Sequence, residues 1–287
     1  METDRKTAIG RLATGALALV TTVFVAFGAF AASMLEQARE GGSIRIGFAN
    51  EAPFGYAKPD GTATGEAPEI ARHIVKKLGI AKVDAVLTEW ASLIPGLRAR
   101  RFDVIAAGMF ITPARCKQVA FSNPTYRLGQ GFLVKAGNPL DLHSYKDAAA
   151  SSAAKVAVMA GAIEQSYAEK AGIPEERILT LPDQVSMLSA VQFGRADAAA
   201  LTALSVRRMA EKGGERVDVA APFATPDDAY GYGAFAFRKD DKALREAFDK
   251  ALAAFIGSEE HLALVAPFGF TKAELPAKAS AEKLCGG

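Results

Sequence analysis

The sequence has 287 residues, of which 50% are hydrophobic and 23% are charged, and its formal net charge is +2. This composition excludes three classes of protein. A disordered chain would have fewer apolar residues and more net charge, a nucleic-acid-binding protein that relies on bulk charge would be more basic, and a multi-span membrane protein would contain several long apolar runs. The length predicts about two domains.

The N-terminal segment has the features of an export signal. Arg5, Lys6 and Arg11 precede an uncharged stretch over residues 12–35, which contains the small-x-small triplet Ala29-Phe30-Ala31. A basic start, an apolar stretch and such a triplet predict a signal peptide over residues 1–31, and hence a periplasmic protein. An uncleaved anchor is the alternative, because the stretch is long enough to span a bilayer.

Hydrophobic patterning then predicts two successive α/β series. The first series consists of a strand at 43–50, a helix at 69–79, a strand at 82–88, a helix at 93–101 and a strand at 103–108. The second follows the segment 131–138 and consists of a strand at 155–160, a helix at 163–172, a strand at 177–182, a helix at 184–194 and a strand at 197–202. A strand at 232–239, a helix at 245–257 and a loosely attached tail complete the prediction.

This order predicts an α/β protein with two lobes, each a mostly parallel sheet flanked by helices. Lobe 1 is expected to contain residues 32–127 and 233–287, and lobe 2 residues 128–232. The crossing segments, near 126–130 and 230–234, contain or adjoin several glycines, which suits hinges. A ligand is expected in the cleft between the lobes, at the carboxyl ends of the strands.

Aromatic and charged residues follow three strands of the first series. Glu51 and Phe54 follow the first strand, Trp90 the second, and Phe110 and Arg115 the third. An aromatic enclosure with one acid and one base suits a small zwitterion, because aromatic faces and a carboxylate attract a cation and arginine holds a carboxylate through paired hydrogen bonds. Simpler interpretations stay open: the rings could only pack in the core, and the charged residues could lie on the surface.

Six short motifs carry a resemblance to a known family. They are Phe54-Gly55-Tyr56, the run from Thr64-Gly65-Glu66 to Ile70, and residues 90–95, 103–108, 111–115 and 121–126. Over about residues 43–275 the chain resembles the periplasmic solute-binding proteins of ABC importers, in the branch that mostly binds polar amino acids. The resemblance implies the type II two-lobed fold, in which lobe closure captures the ligand. In that family the Arg of the "I-T-x-x-R" turn, here Arg115, holds the ligand carboxylate.

The resemblance also implies partners. The expected ones are a small-molecule ligand and an ABC permease with its ATPase, and we expect a monomer that binds no nucleic acid. No enzymatic activity, cofactor or metal is expected.

Three departures from the amino-acid-binding pattern narrow the ligand. Thr202 stands where the family places an Asp for the α-ammonium, Phe110 replaces a small hydroxyl residue, and the turn Gly161-Ala162-Ile163 lacks hydroxyl groups. A buried ammonium without a partner would cost about several kcal/mol. The chain is most similar to the ectoine and hydroxyectoine binders, whose ligand is a flat cyclic amidinium with a ring carboxylate.

This similarity implies a role for each site residue. Glu51 would bind the amidinium, Phe54, Trp90 and Phe110 would form the aromatic box, and Arg115 would hold the carboxylate with backbone N–H groups near Thr112. The second lobe would contribute Gly161, Ile163, Glu164 and Thr202.

Two alternatives and one structural question stay open. The protein could bind a polar or cationic amino acid, or act as a cyclic-acid dehydratase-like enzyme with Glu51 or Glu164 as the base. Against an enzyme, the sequence has no His at a predicted strand end, no Cys/His metal spacing, no glycine-rich phosphate loop and no serine elbow. Cys116 and Cys285 could form a disulfide that ties the tail to the main body, or remain two separate thiols.

Overall fold

The structure, a computed structural model, describes residues 32–286. The signal peptide predicted over residues 1–31 therefore lies outside the described residues. The strands are β1 (Ser43–Phe48), β2 (Tyr56–Ala57), β3 (Ala63–Thr64), β4 (Lys82–Leu87), β5 (Val104–Phe110), β6 (Ala120–Phe121), β7 (Tyr126–Leu128), β8 (Gln130–Lys135), β9 (Val156–Met159), β10 (Ile178–Leu181), β11 (Ala198–Thr202), β12 (Val217–Val219) and β13 (Gly231–Phe237).

Eleven α-helices accompany these strands within the described residues. They are α1 (Met34–Glu40), α2 (Glu66–Lys77), α3 (Leu93–Arg98), α4 (Pro113–Cys116), α5 (Tyr145–Ala150), α6 (Glu164–Lys170), α7 (Gln184–Gln192), α8 (Ala203–Gly213), α9 (Lys242–Phe255), α10 (Glu259–Val265) and α11 (Ala281–Leu284).

Two separate sheets form the body of the molecule. The first has the strand order β4-β1-β5-β13-β6, with β7 also paired to β13, and the second has the order β10-β9-β11-β8-β12. In the first sheet β13 runs against the other strands, and in the second β8 does. The predicted α/β class with two mostly parallel sheets is therefore confirmed.

The central strands β5 and β11 form where apolar runs are buried on both faces, whereas the edge strand β4 has no buried residue. Every residue of β5 is buried, as expected for a central strand between covering helices. Helix α2 lies against this sheet through Ile70, Ile74 and other apolar residues on one side, and apart from the buried Glu66 its charged residues lie on the other side. It begins at Glu66, three residues before the predicted start, and β5 continues two residues beyond the predicted end.

Within residues 32–286 no single helix is long and apolar enough to cross a membrane, and the segments 242–255 and 259–268 meet that criterion only together, across a bend of 98°.

The predicted loose tail is wrong. Residues 281–284 form α11, the backbone N–H of Ala281 donates to Asn123 Oδ1 at 3.0 Å, and Cys285 forms a disulfide with Cys116, at a Cα–Cα distance of 5.7 Å. The disulfide answers the question that the sequence left open. It connects the C-terminal segment to the last residue of α4, directly after Arg115.

Removing this disulfide should lower thermal stability. The bond closes a chain segment with a sequence separation of 169 residues, so the double substitution Cys116→Ser and Cys285→Ser frees a large loop in the unfolded state. A loss of about 2–4 kcal/mol, or roughly 5–15 °C in Tm, is expected in a thermal unfolding scan. Since the sequence contains 2 cysteines, a reductant should lower the Tm of the wild type alone. An equal Tm for wild type and double variant would contradict the prediction.

Candidate functional site

A pocket lies where the carboxyl ends of strands from both sheets meet. From the first sheet, β1 leads into the turn that carries Glu51, β4 into a short 3-10 turn beginning at Trp90, and β5 ends at Phe110. From the second, β9 leads into α6 and β11 ends at Thr202. The pocket is lined by Glu51, Phe54, Trp90, Gly108, Phe110, Arg115, Met159, Ala162, Ile163, Glu164, Leu201 and Thr202.

The aromatic wall of the pocket is supported from behind by Tyr126. The Phe54 ring stacks on the Tyr126 ring at 5.2 Å between centroids, and the Phe110 ring meets Tyr126 edge-on at 6.2 Å. The Tyr126 hydroxyl donates to the Gly108 carbonyl at 2.6 Å. Gly231 is required on the other side of Phe110, since a Cβ there would lie 1.8 Å from a ring carbon. Phe54 and Phe110 thus both pack in the core and line the pocket.

Arg115 is fixed by α4 and points into the pocket. Thr112 caps this helix, with its Oγ1 accepting from the Arg115 backbone N–H at 3.3 Å. Arg115 Nη1 donates to the Phe110 carbonyl at 2.9 Å, and Nη2 donates to the Gly161 carbonyl at 3.3 Å. The guanidinium carbon also lies 5.7 Å from the centre of the Trp90 ring. With 9% of its surface exposed, Arg115 is a buried residue, so its interpretation as a surface salt-bridge residue is wrong.

Two buried carboxyl groups share the pocket with Arg115. Glu51 Oε1 accepts from the Ser205 hydroxyl at 2.7 Å, and burial raises the pKa of Glu51 to about 8. Burial likewise raises the pKa of Glu164 to about 7, and the Gln130 side-chain amide, oriented with its NH₂ toward Glu164, donates to Glu164 Oε1 at 3.0 Å. The surface interpretation of Glu51 is therefore wrong as well.

Eight of the ten predicted ligand-binding residues line this one pocket, and two have other positions. Thr112 does not line it but holds Arg115 in place through the cap of α4. Gly161 stands at the edge, where its carbonyl accepts from both Arg115 and Trp90 Nε1, the latter at 3.2 Å. Thr202 lines the pocket and also caps α8.

Several residues of the site were not predicted from the sequence. Gly108, Met159, Ala162 and Leu201 line the pocket, and Ser205 and Gln130 bind its two acids. The position of Ser205 in the sequence gave a partial indication, because it lies three residues after Thr202, at the start of the helix that Thr202 caps. The sequence could not show that this hydroxyl meets Glu51, which is 154 residues away.

Hydrogen bonds join the two halves of the pocket. Glu51 and Ser205, Trp90 and Gly161, and Arg115 and Gly161 each pair a residue from a first-sheet connection with one from a second-sheet connection. Outside the pocket, the Gln184 amide pairs with the backbone of Ala52, with Nε2 donating to the Ala52 carbonyl at 2.9 Å. The described structure is therefore a form in which the halves are in contact around the pocket.

A third buried acid, Glu66, stands behind the aromatic wall. Its Oε1 accepts from the Thr125 hydroxyl at 2.8 Å, while Oε2 has no hydrogen-bond partner in the described part of the chain. Burial raises the pKa of Glu66 to about 8. The unfolded chain loses this proton near the ordinary pKa of 4.5, so the contribution of Glu66 to stability falls between pH 4.5 and 8 and stays low above it.

The substitution Glu66→Gln should remove this pH dependence. The Tm of the variant minus that of the wild type is expected to rise by roughly 5–10 °C between pH 5 and pH 9, measured by thermal unfolding without ligand. Glu40→Gln, which changes an exposed acid at the end of α1, is the control. A Tm difference for Glu66→Gln that is the same at both pH values would contradict the assignment.

Within the described residues, no group of three or more His, Cys, Asp or Glu side chains could hold a metal ion. The residues that line the pocket provide an aromatic and apolar enclosure, one guanidinium and two carboxyl groups.

Comparison with known proteins decides the family. Residues 44–270 match the model of the bacterial extracellular solute-binding proteins, family 3. The chain belongs to this family. The predicted resemblance is thereby confirmed, and so is the type II two-lobed fold.

Individual relatives cover nearly the whole chain. A probable amino-acid ABC transporter periplasmic-binding protein of Sinorhizobium fredii is 39% identical over 285 residues, which cover 96% of this chain and 93% of that protein. The crystal structure of EhuB in complex with hydroxyectoine superposes with a TM-score of 0.81 and 42% identity, covering 88% of this chain and 97% of that one.

One relative is an enzyme. A cyclohexadienyl dehydratase of Pseudomonas aeruginosa is 26% identical over 176 residues, which cover 61% of this chain and 65% of that protein.

Proposed function

We propose that this solute-binding protein serves an ABC importer and captures ectoine or hydroxyectoine. The observation that carries the proposal is the composition of one buried pocket, in which three aromatic rings, Glu51 and Arg115 come together. Ectoine presents the complementary groups: a flat delocalised cation and a carboxylate on one small ring. The similarity to EhuB, solved with hydroxyectoine, supports the same ligand class.

Each end of the ligand would have a partner of opposite charge. The amidinium would stack against Phe54, Trp90 and Phe110 and pair with Glu51, since a cation over an aromatic face gains about 0.5–2 kcal/mol per contact. The carboxylate would bind the Arg115 donors that remain after its bonds to two backbone carbonyls. Ile163, Glu164 and Thr202 would contact the ligand from the second half of the pocket.

The main alternative is a polar or cationic amino acid. Its α-ammonium would need an acidic partner, and the strand β11 offers Thr202 at its end, with the Thr202 hydroxyl already capping α8. The relative from Sinorhizobium fredii is named for amino-acid transport, which supports testing amino acids as ligands. The dehydratase relative suggests a second alternative, an enzyme that acts on a cyclic acid. In such an enzyme Glu51 or Glu164 would be the base. We propose binding without turnover.

Capture would take place by closure of two lobes, residues 32–127 with 233–287 and residues 128–232. The strand pairs support limits within two residues of these: β7 in the first sheet ends at Leu128, β8 in the second begins at Gln130, and β13 returns to the first sheet at Gly231. The proposed hinges are near 126–130 and 230–234. The signal peptide at residues 1–31 would direct export to the periplasm. There the closed form would be recognised by an ABC permease, which an ATPase drives.

A ligand panel tests the proposed function. Ectoine, hydroxyectoine, arginine, lysine, histidine and glutamine are each added to the purified protein, and the Tm and binding heat are recorded. At 100 times its Kd a ligand stabilises the protein by about 2.7 kcal/mol, so ectoine or hydroxyectoine should give the largest rise in Tm. A larger rise with an amino acid would favour the alternative. NMR of the recovered ligand should show it unchanged, and a converted product would favour an enzyme.

A further inference from the structure

The pocket contains more negative than positive groups. Glu51, Glu164 and Arg115 all line it, and the other nine lining residues of the described pocket carry no charge. If both carboxyl groups were ionised, the three side chains together would carry a net charge of −1. A zwitterion such as ectoine adds no net charge, so an enclosed complex with both acids ionised would hold an unbalanced negative charge, which is costly away from water.

The two acids differ in position. Glu51 is held by Ser205 on the turn that carries Phe54, beside the aromatic wall where the ligand cation would stack. Glu164 begins α6, three residues after Gly161, whose carbonyl binds Arg115 Nη2. Glu164 therefore stands at the Arg115 end, where the ligand carboxylate would arrive. A second anion would repel that carboxylate, whereas a protonated Glu164 could donate a hydrogen bond to it.

We propose that the ligand-bound pocket keeps one proton on Glu164, which makes capture of the zwitterion dependent on a proton; this inference rests on the proposed function. In the complex Glu51 is ionised and faces the cation, while Glu164 is neutral and faces the carboxylate. The four charges that remain, on Glu51, Arg115 and the two ends of the ligand, then balance. Glu164 thereby selects for a ligand without net charge.

The surroundings of Glu164 fit this role. Its charged and titratable neighbours are Arg115 on α4, Glu51 after β1, Tyr126 on β7, Tyr145 on α5 and Tyr167 on α6, with the Gln130 amide on β8. Arg115 and the Gln130 amide favour the ionised form of Glu164, and burial outweighs them. The pKa of Glu164 is raised to about 7 and that of Glu51 to about 8, both mainly by burial, so the ligand-free pocket holds between one and two protons at neutral pH. At pH 9 the ligand-free pocket has lost most of these protons, so ligand binding must be accompanied by uptake of one proton.

The test is calorimetry of ectoine binding to the purified protein from pH 6 to pH 9. The wild-type affinity should be highest between about pH 7 and 8 and should fall by up to about tenfold per pH unit above that range. Titrations at pH 9 in buffers of different ionisation enthalpy should show uptake approaching one proton per ligand. Glu164→Gln should lose the alkaline fall, whereas Glu89→Gln, an exposed acid beside Trp90, should keep it.

Each contrary result has a distinct meaning. Wild-type affinity that is constant or rises from pH 7 to 9, or binding at pH 9 without proton uptake, would overturn the inference alone. So would an alkaline fall that persists unchanged in Glu164→Gln. Absence of binding heat for both ectoine and hydroxyectoine at every pH would overturn the proposed function, and the inference with it. The proton count uses the wild type, so it decides the question even if the variant does not fold.

Discussion

Replacing Arg115 by Ala should lower ectoine affinity by roughly 100- to 4000-fold. Arg115 is the one positive group among the residues that line the described pocket, and the ligand carboxylate would be buried without a partner in the variant. Removing one member of a buried charged pair typically costs about 3–5 kcal/mol, and each 1.4 kcal/mol is a factor of ten. Calorimetry at pH 7.5 measures the effect directly.

Two further variants separate binding from folding. Lys117→Ala removes an exposed positive charge two residues away and should bind like the wild type, because it does not face the pocket. Arg115→Lys keeps the charge but loses the paired donors, and should recover only part of the affinity. Arg115→Ala that folds and binds ectoine as tightly as the wild type would refute the proposed role of Arg115.

The sequence predicted the part of the site that local pattern determines. Each apolar strand of the first series ends at a recognisable polar or aromatic residue, and strands of a parallel sheet end at one edge. That rule was sufficient to bring Glu51, Trp90 and Phe110 together. It also placed Thr202 at the end of β11.

Contacts between distant parts of the chain could not be predicted in this way. The bond between Ser205 and Glu51 and the disulfide between Cys116 and Cys285 span 154 and 169 residues, and no local pattern encodes the distance between such partners. The loose-tail prediction failed for the same reason. Pro276 and the terminal glycines indicate weak local structure, but the disulfide to Cys116 and the hydrogen bond from Ala281 to Asn123 hold the segment against distant parts of the chain. Short helices such as α4 depend similarly on caps and tertiary packing.

Glu51→Gln should lower ectoine affinity by roughly 30- to 1000-fold without destabilising the ligand-free protein. Gln keeps the shape and can still accept from Ser205, but it offers the amidinium no negative charge; losing a buried counter-charge of this kind costs about 2–4 kcal/mol. In the ligand-free fold the raised pKa of Glu51 means that its ionised form is unfavourable. A neutral Gln removes that penalty, so the Tm should be unchanged at pH 5 and higher than the wild type at pH 9.

Loss of affinity together with equal or higher stability is the combination that identifies Glu51 as a ligand-binding acid. A residue needed only for packing would lose both together, and Glu89→Gln should change neither, because Glu89 is exposed outside the pocket. Ser205→Ala should weaken binding to a smaller extent, since it leaves the Glu51 charge in place and removes one hydrogen bond, about tenfold at most. Wild-type affinity in Glu51→Gln would exclude a charge pair between Glu51 and the ligand cation.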